Sequence, residues 1–128
     1  MKTLRLPLKT KWFEMSKAGI KKEDYREINP YWYKRLFADA HPSKSIRQEA
    51  CDNFKNPNSA TNWNFKNGYY SKFKQFDQNV MTLGYPKNGD TEKILRLEHK
   101  GIEIRTGNPE WGAEPGKLYF VIKHGLIL

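Results

Sequence analysis

Between Gly19 and Glu27 the chain sets three cations, Lys21, Lys22 and Arg26, among three carboxylates, Glu23, Asp24 and Glu27, with one aromatic, Tyr25. A lysine beside a carboxylate can serve as a general base when burial lowers its pKa. If the chain is an enzyme, Lys21 and Asp24 are the candidate catalytic residues. Lysine and arginine also neutralise phosphate or hold a base edge, and a tyrosine ring stacks on an unpaired base. Lys21, Lys22, Tyr25 and Arg26 are therefore candidate ligand contacts. In an extended strand, alternation puts Lys21, Glu23, Tyr25 and Glu27 on one face and Lys22, Asp24, Arg26 and Ile28 on the other. Charges on both faces exclude an ordinary buried strand. Either the segment is an edge strand with a solvated ion-pair ladder, worth roughly 0–1 kcal/mol per pair, or one face lines a polar cleft.

A second candidate is the loop from Arg105 to Lys117, where Gly107, Gly112 and Gly116 allow sharp turns and Pro109 and Pro115 stiffen the chain. Such a loop can hold the Trp111 ring and the Glu110 carboxylate against a ligand, or Trp111 can plug one end of a barrel. Glu98, Glu103 and Glu110 are further carboxylates, and spacing singles out none of them. His41, His99 and His124 have no metal-ligand spacing and are read as structural or solvated. Cys51 alone supports neither a disulfide framework nor a metal cluster, and is read as a packing residue. No cofactor or metal is expected.

These residues sit in a chain of 128 residues with net charge +9, from 23 Lys plus Arg against 14 Asp plus Glu. That balance favours anionic partners, nucleic acid first. No apolar run approaches the roughly 20 residues that span a bilayer, and no signal peptide is recognisable, so the expectation is a cytoplasmic protein without a membrane partner. The length suits one domain, residues 1–128.

The elements that would position the candidates follow from local patterns. Leu4 to Leu8 alternates as a short strand, with Pro7 marking an edge. Thr10 is expected to cap a helix carrying Trp12, Phe13 and Met15 and ending at Gly19. The polar strand Lys21–Ile28 follows. Asn29-Pro30 opens a second helix with Tyr33, Leu36, Phe37 and Ala40 inward, ended by His41-Pro42. Ser45 to Gln48 is a capping-box pattern for a third, with Ile46, Ala50 and Phe54 as its stripe. Asn56 to Tyr70 reads as a loop, whose Trp63, Phe65 and Tyr69 among basic residues would either stack bases or pin an insertion. Strands are expected at Val80–Tyr85, at Ile94–Ile104 with a bulge at Lys100-Gly101, and at Leu118–Leu128 with Leu118, Phe120, Ile122, Leu126 and Leu128 on one face. The sum is an α+β fold, a small, partly closed antiparallel β-barrel with flanking helices inserted in the N-terminal half.

Gly19, Lys21, Asp24 and Arg26 follow the spacing of the ASCH-domain pattern, after a helix carrying aromatics. Gly107-Asn108-Pro109-Glu110-Trp111-Gly112, followed by Tyr119-Phe120-Val121-Ile122, resembles a subgroup common in bacteria and phages. The chain therefore resembles the ASCH domain, a branch of the PUA-like barrels, at both ends, while roughly 43–74 has no counterpart and reads as an insertion. The resemblance implies a cleft beside the Lys21–Arg26 strand and an RNA or nucleotide-like ligand. It also implies a hydrolase alternative, acting on acetylcytidine or on an RNA phosphodiester. Where the amidohydrolase pattern has Thr, this chain has Asp24, which has no hydroxyl with which to attack an amide.

Overall fold

The computed structural model describes residues 2–56, 72–84, 86 and 90–128. Five strands form one sheet, β1 (Thr3–Leu8), β2 (Glu23–Arg26), β3 (Gln78–Leu83), β4 (Ile94–Thr106) and β5 (Leu118–Ile127), in the order β1-β3-β4-β5-β2. Three helices, α1 (Thr10–Lys17), α2 (Pro30–Leu36) and α3 (Lys44–Phe54), precede β3. The fold is α+β, and the sheet curls into a half-barrel with β1 and β2 as its free edges. The sheet is mixed, which corrects the antiparallel barrel expected above: β1 runs parallel to β3, while the other three pairings are antiparallel. The physical reason is the long connection between β1 and β3, since a parallel pair needs a crossover and the helices supply one.

Side-chain alternation gives the half-barrel two unlike faces. The inner row runs through Leu4 and Leu6, Met81, Leu95 and Leu97, Phe120 and Ile122, and is covered by Phe13, Tyr33, Leu36, Phe37 and Phe54 from the helices. The Phe37 ring lies 4.7 Å from Tyr33, 5.4 Å from Phe54 and 5.9 Å from Phe120. On the outer face, Tyr119, Val121 and Ala113 form a small cluster with Tyr25. Beside it Arg105 pairs with Glu23 and Glu103, and Lys123 with Glu103.

Helix starts are decided locally, and two of the three differ from expectation. Asn29 caps α2 as expected, its Oδ1 accepting from the Trp32 amide at 2.9 Å. The N-cap of α1 is Lys9 rather than Thr10. The α3 helix begins one residue before Ser45, with Ser43 at its N-cap, so no capping box forms; Gln48 donates to Asp52 instead. That start turns Arg47, Cys51 and Phe54 inward and leaves Ile46 exposed. Burial pushes the Cys51 thiol up to about 11, an inert packing group. The α2 helix stops at Leu36, where Phe37 turns extended and bridges Phe73. Ala38 N–H donates to Lys72 O at 2.9 Å and Lys74 N–H to Leu36 O at 2.7 Å, so the segment around Phe73 is stitched to the end of α2. The readings of Trp63, Phe65 and Tyr69 lie outside the described residues. The bulge in β4 falls between His99 and Ile102, with Gly101 at φ +108°. Leu126 and Leu128 are 75% and 63% exposed, so the inward row of β5 ends before them. Among the described residues no helix is long and apolar enough to cross a membrane.

Candidate functional site: a cleft between the free edges of the sheet

The two free edges face one another, and a cleft of about 370 Å³ lies along them. The β1–α1 corner supplies Pro7, Leu8, Lys9 and Trp12; the opposite edge supplies Lys21, Asp24, Tyr25, Arg26 and Glu27. Trp111, Gly112, Glu114 and Tyr119 close the third side. Arg26 straps the edges together, its Nη2 donating to Pro7 O at 3.0 Å while the guanidinium lies 4.9 Å from the Trp32 ring.

Lys21 reaches the cleft by a route that alternation does not describe. Gly19 turns the end of α1 at φ +76°, and the amides of Ile20 and Lys21 both donate to Met15 O. Lys21 therefore precedes β2 and is not on the face of Glu23 and Tyr25. Its side chain joins that of Asp24, three residues on, in a buried ion pair and hydrogen bond, and its Nζ also donates to Glu23 O at 2.6 Å. Lys21 and Asp24 are each only 3% exposed. Burial lowers the Lys21 amine below its ordinary value, against the pull of Asp24. Burial alone would raise the Asp24 carboxyl, but the His124 hydrogen bond and the Lys21 charge outweigh it and hold the group below the usual range.

Behind this pair a line of hydrogen bonds crosses the interior of the half-barrel. His124 Nε2 lies 2.7 Å from Asp24 Oδ2, and its Nδ1 lies 2.6 Å from Asn79 Nδ2. Asn79 Nδ2 also donates to Lys123 O at 3.2 Å, and Asn79 Oδ1 lies 2.7 Å from His99 Nδ1. A backbone carbonyl only accepts, so it fixes the orientation of the Asn79 amide. His124 Nδ1 must then accept, which places the His124 proton on Nε2, directed at Asp24. Asn79 Oδ1 in turn takes the proton on His99 Nδ1. Every polar atom of Asn79 is used, as a fully buried amide requires.

The loop side is held by tyrosines. Tyr25 OH donates to Glu23 Oε1 at 2.6 Å and accepts from the Asn108 amide at 2.8 Å; burial and the Glu23 carboxylate raise its pKa. Tyr119 OH accepts from the Glu114 amide at 2.9 Å. Two glycines permit the close packing. A Cβ on Gly107 would sit 2.6 Å from the Tyr25 ring, and one on Gly112, at φ +100°, 2.9 Å from Trp12.

Of the residues expected to bind, Lys21, Tyr25, Arg26 and Trp111 converge on the cleft, as does Asp24. Two do not. Lys22 is exposed and lies on a second cavity with Lys100 and Leu126, which Lys21 and His124 also border, because the turn before β2 carries it outward. Glu110 is exposed in the short 3-10 turn Pro109–Trp111, and Glu114 lines the cleft instead. Glu98 accepts from the Leu126 amide and Glu103 is bound to Arg105 and Lys123, so neither joins Lys21. An ion-pair ladder does exist, but its members are Glu23 and Glu27, paired with Arg105 and Lys117.

Trp12, Glu114, Tyr119, Lys9, Asn79 and His124 are among the site residues that sequence reasoning missed. The signal for His124 was its place between Ile122 and Leu126 in a row expected to face inward. Among the described residues no group of His, Cys, Asp and Glu is arranged to hold a metal ion. No protein-family model, curated protein or solved structure gives a significant match to this chain.

Proposed function

We propose that this chain is an RNA- or nucleotide-binding module of PUA-like, ASCH-type architecture, acting in the cytoplasm, which takes a nucleobase into the cleft between β1 and β2. The observation that carries the reading is the ring of Trp12, Tyr25, Trp111 and Tyr119 around a polar floor. Aromatic faces stack on a heterocycle, while Lys21, Arg26 and the nearby carboxylates offer donors and acceptors to its edge. The lining cations Lys9, Lys21 and Arg26 are matched by Asp24, Glu27 and Glu114. A charge-balanced pocket suits a neutral planar base better than a bare phosphate. Stability alone does not account for the Lys21–Asp24 pair, since apolar residues of similar volume commonly do as well.

The test is quenching of tryptophan fluorescence by nucleosides and short RNA. Wild type is expected to bind both, and Trp111→Ala to weaken both by about tenfold or more, as loss of one stacking ring implies. Affinity of the Trp111→Ala protein equal to that of wild type for both ligands would remove the reading.

A second reading is favoured by the lowered pKa of Lys21. A hydrolase acting on a modified nucleobase, such as acetylcytidine, would use Lys21, once it has shed its proton, to take a proton from water attacking the amide carbonyl; the C–N bond then breaks, releasing acetate and cytidine with that proton on the exocyclic nitrogen, while Asp24 and His124 position the amine. Asp24 has no hydroxyl, so no acyl transfer to that position is part of this reading. Turnover of acetylcytidine by wild type and its loss in Lys21→Ala would support it; turnover that survives the substitution would exclude Lys21 as base.

A further inference from the structure

Among the stretches of the sequence that carry cations and no carboxylate are residues 1–13, with Lys2, Arg5, Lys9 and Lys11, and residues 28–38, with Lys34 and Arg35. The fold lays them side by side. Arg35 Nη2 lies 3.4 Å from Arg5 O, and Arg26, which lines the cleft, lies against the same helix. The Trp32 ring has a guanidinium 4.9 Å away on behalf of both Arg26 and Arg35. Tyr31, 60% exposed, meets Trp32 edge to face at 5.2 Å and accepts from Arg35 Nη1 at 3.1 Å. An accessible ring, fixed by an arginine that has no carboxylate partner among the described residues, is a stacking platform with a phosphate contact beside it.

This surface begins where the cleft ends. Arg26 belongs to both, with one part of its guanidinium on the cleft wall and its plane against Trp32. The cleft is balanced in charge, whereas the strip outside it is not, so phosphates are favoured outside and a base inside. Resting on the proposed base-binding role of the cleft, we infer that the ligand is one residue of a single-stranded polynucleotide, whose neighbouring nucleotides run along Tyr31, Trp32 and Arg35. Tyr31 stacks a flanking base and Arg35 holds a flanking phosphate. A paired strand would not fit, because its bases are already stacked and cannot reach either the Tyr31 ring or the cleft.

The experiment compares cytidine and uridine with labelled short single-stranded RNA and DNA of one sequence, by tryptophan quenching and by anisotropy across a salt series. Wild type is expected to hold the oligomers more tightly than the nucleosides. Tyr31→Ala should weaken oligomer binding by about tenfold, the loss of one stacked base, with nucleoside affinity unchanged. Arg35→Ala should do the same and also reduce the slope of log affinity against log salt by about one. RNA and DNA arms that agree name the shared backbone as the ligand; a preference for RNA adds a contact to the 2′-hydroxyl. Oligomer affinity and salt slope unaltered in both variants would overturn the inference, as would oligomers that bind no better than nucleosides. Oligomer binding that resists Trp111→Ala but is lost in Arg35→Ala would keep this surface and remove the cleft reading. Absence of binding by every ligand would overturn both.

Discussion

The two faces of the half-barrel are both aromatic, and they use their rings differently. Inside, Phe13, Phe37, Phe54 and Phe120 are fully buried with no hydroxyl to satisfy. Outside, Tyr25 and Tyr119 fill a smaller cluster, and each hydroxyl accepts from a backbone amide of the loop that closes the cleft. Phenylalanine, joined by Tyr33, supplies area to the inner core; tyrosine supplies area and a fixed anchor to the outer one. The difference separates what holds the fold from what sets the cleft.

Phe120→Ala should break the inner face most severely, by roughly 3–5 kcal/mol, because it opens a cavity where β5 meets the helices. A lowered urea midpoint with an unchanged m-value is the measurement. A loss under 1 kcal/mol would show that the inner face is not the main support. Tyr25→Phe should cost less, about 1–3 kcal/mol, by leaving the Asn108 amide without its acceptor. It should also speed amide exchange at residues 108–113 while β3 amides remain protected. If β3 exchange rises equally, the two faces are not separable as described. The third effect is absent at neutral pH and appears only on acidification. Burial lowers His99 to about 4, against about 6.5 for an unfolded histidine. Between those values the unfolded chain binds the additional proton, so stability falls as pH drops through this window and does not depend on His99 above it. His99→Gln should flatten the dependence in urea titrations from pH 7 to pH 4, with the cleft side unaffected.

What the sequence made legible was decided by neighbours along the chain. The Asn29 cap needs only Trp32, and the bulge in β4 needs only Gly101. Period-two alternation described Asp24, Tyr25 and Arg26 correctly relative to one another. It failed at Lys21, because the helix-end turn at Gly19 interrupts the strand before that residue. The stripe of α3 was read one residue out of phase because a capping pattern at Ser45 suggested a later start than the one taken at Ser43. The parallel pairing of β1 with β3 joins segments 75 residues apart at Thr3 and Gln78, and no local pattern encodes it. The same distance hid the interior of the site. His124 lies 100 residues from Asp24 and 45 from Asn79, so only the folded sheet brings these side chains together.

The buried line from Lys21 to His99 has an amide at its middle. An imidazole can take a proton on one nitrogen and release it from the other, but a primary amide in its ordinary form cannot. Asn79, locked by the Lys123 carbonyl, therefore acts as a brace and an insulator together. It ties the cleft to the far end of the half-barrel mechanically, yet stops a proton that reaches His99 from travelling on to His124 and Asp24. A proton gained by His99 is thus not handed along this line to Lys21 and Asp24.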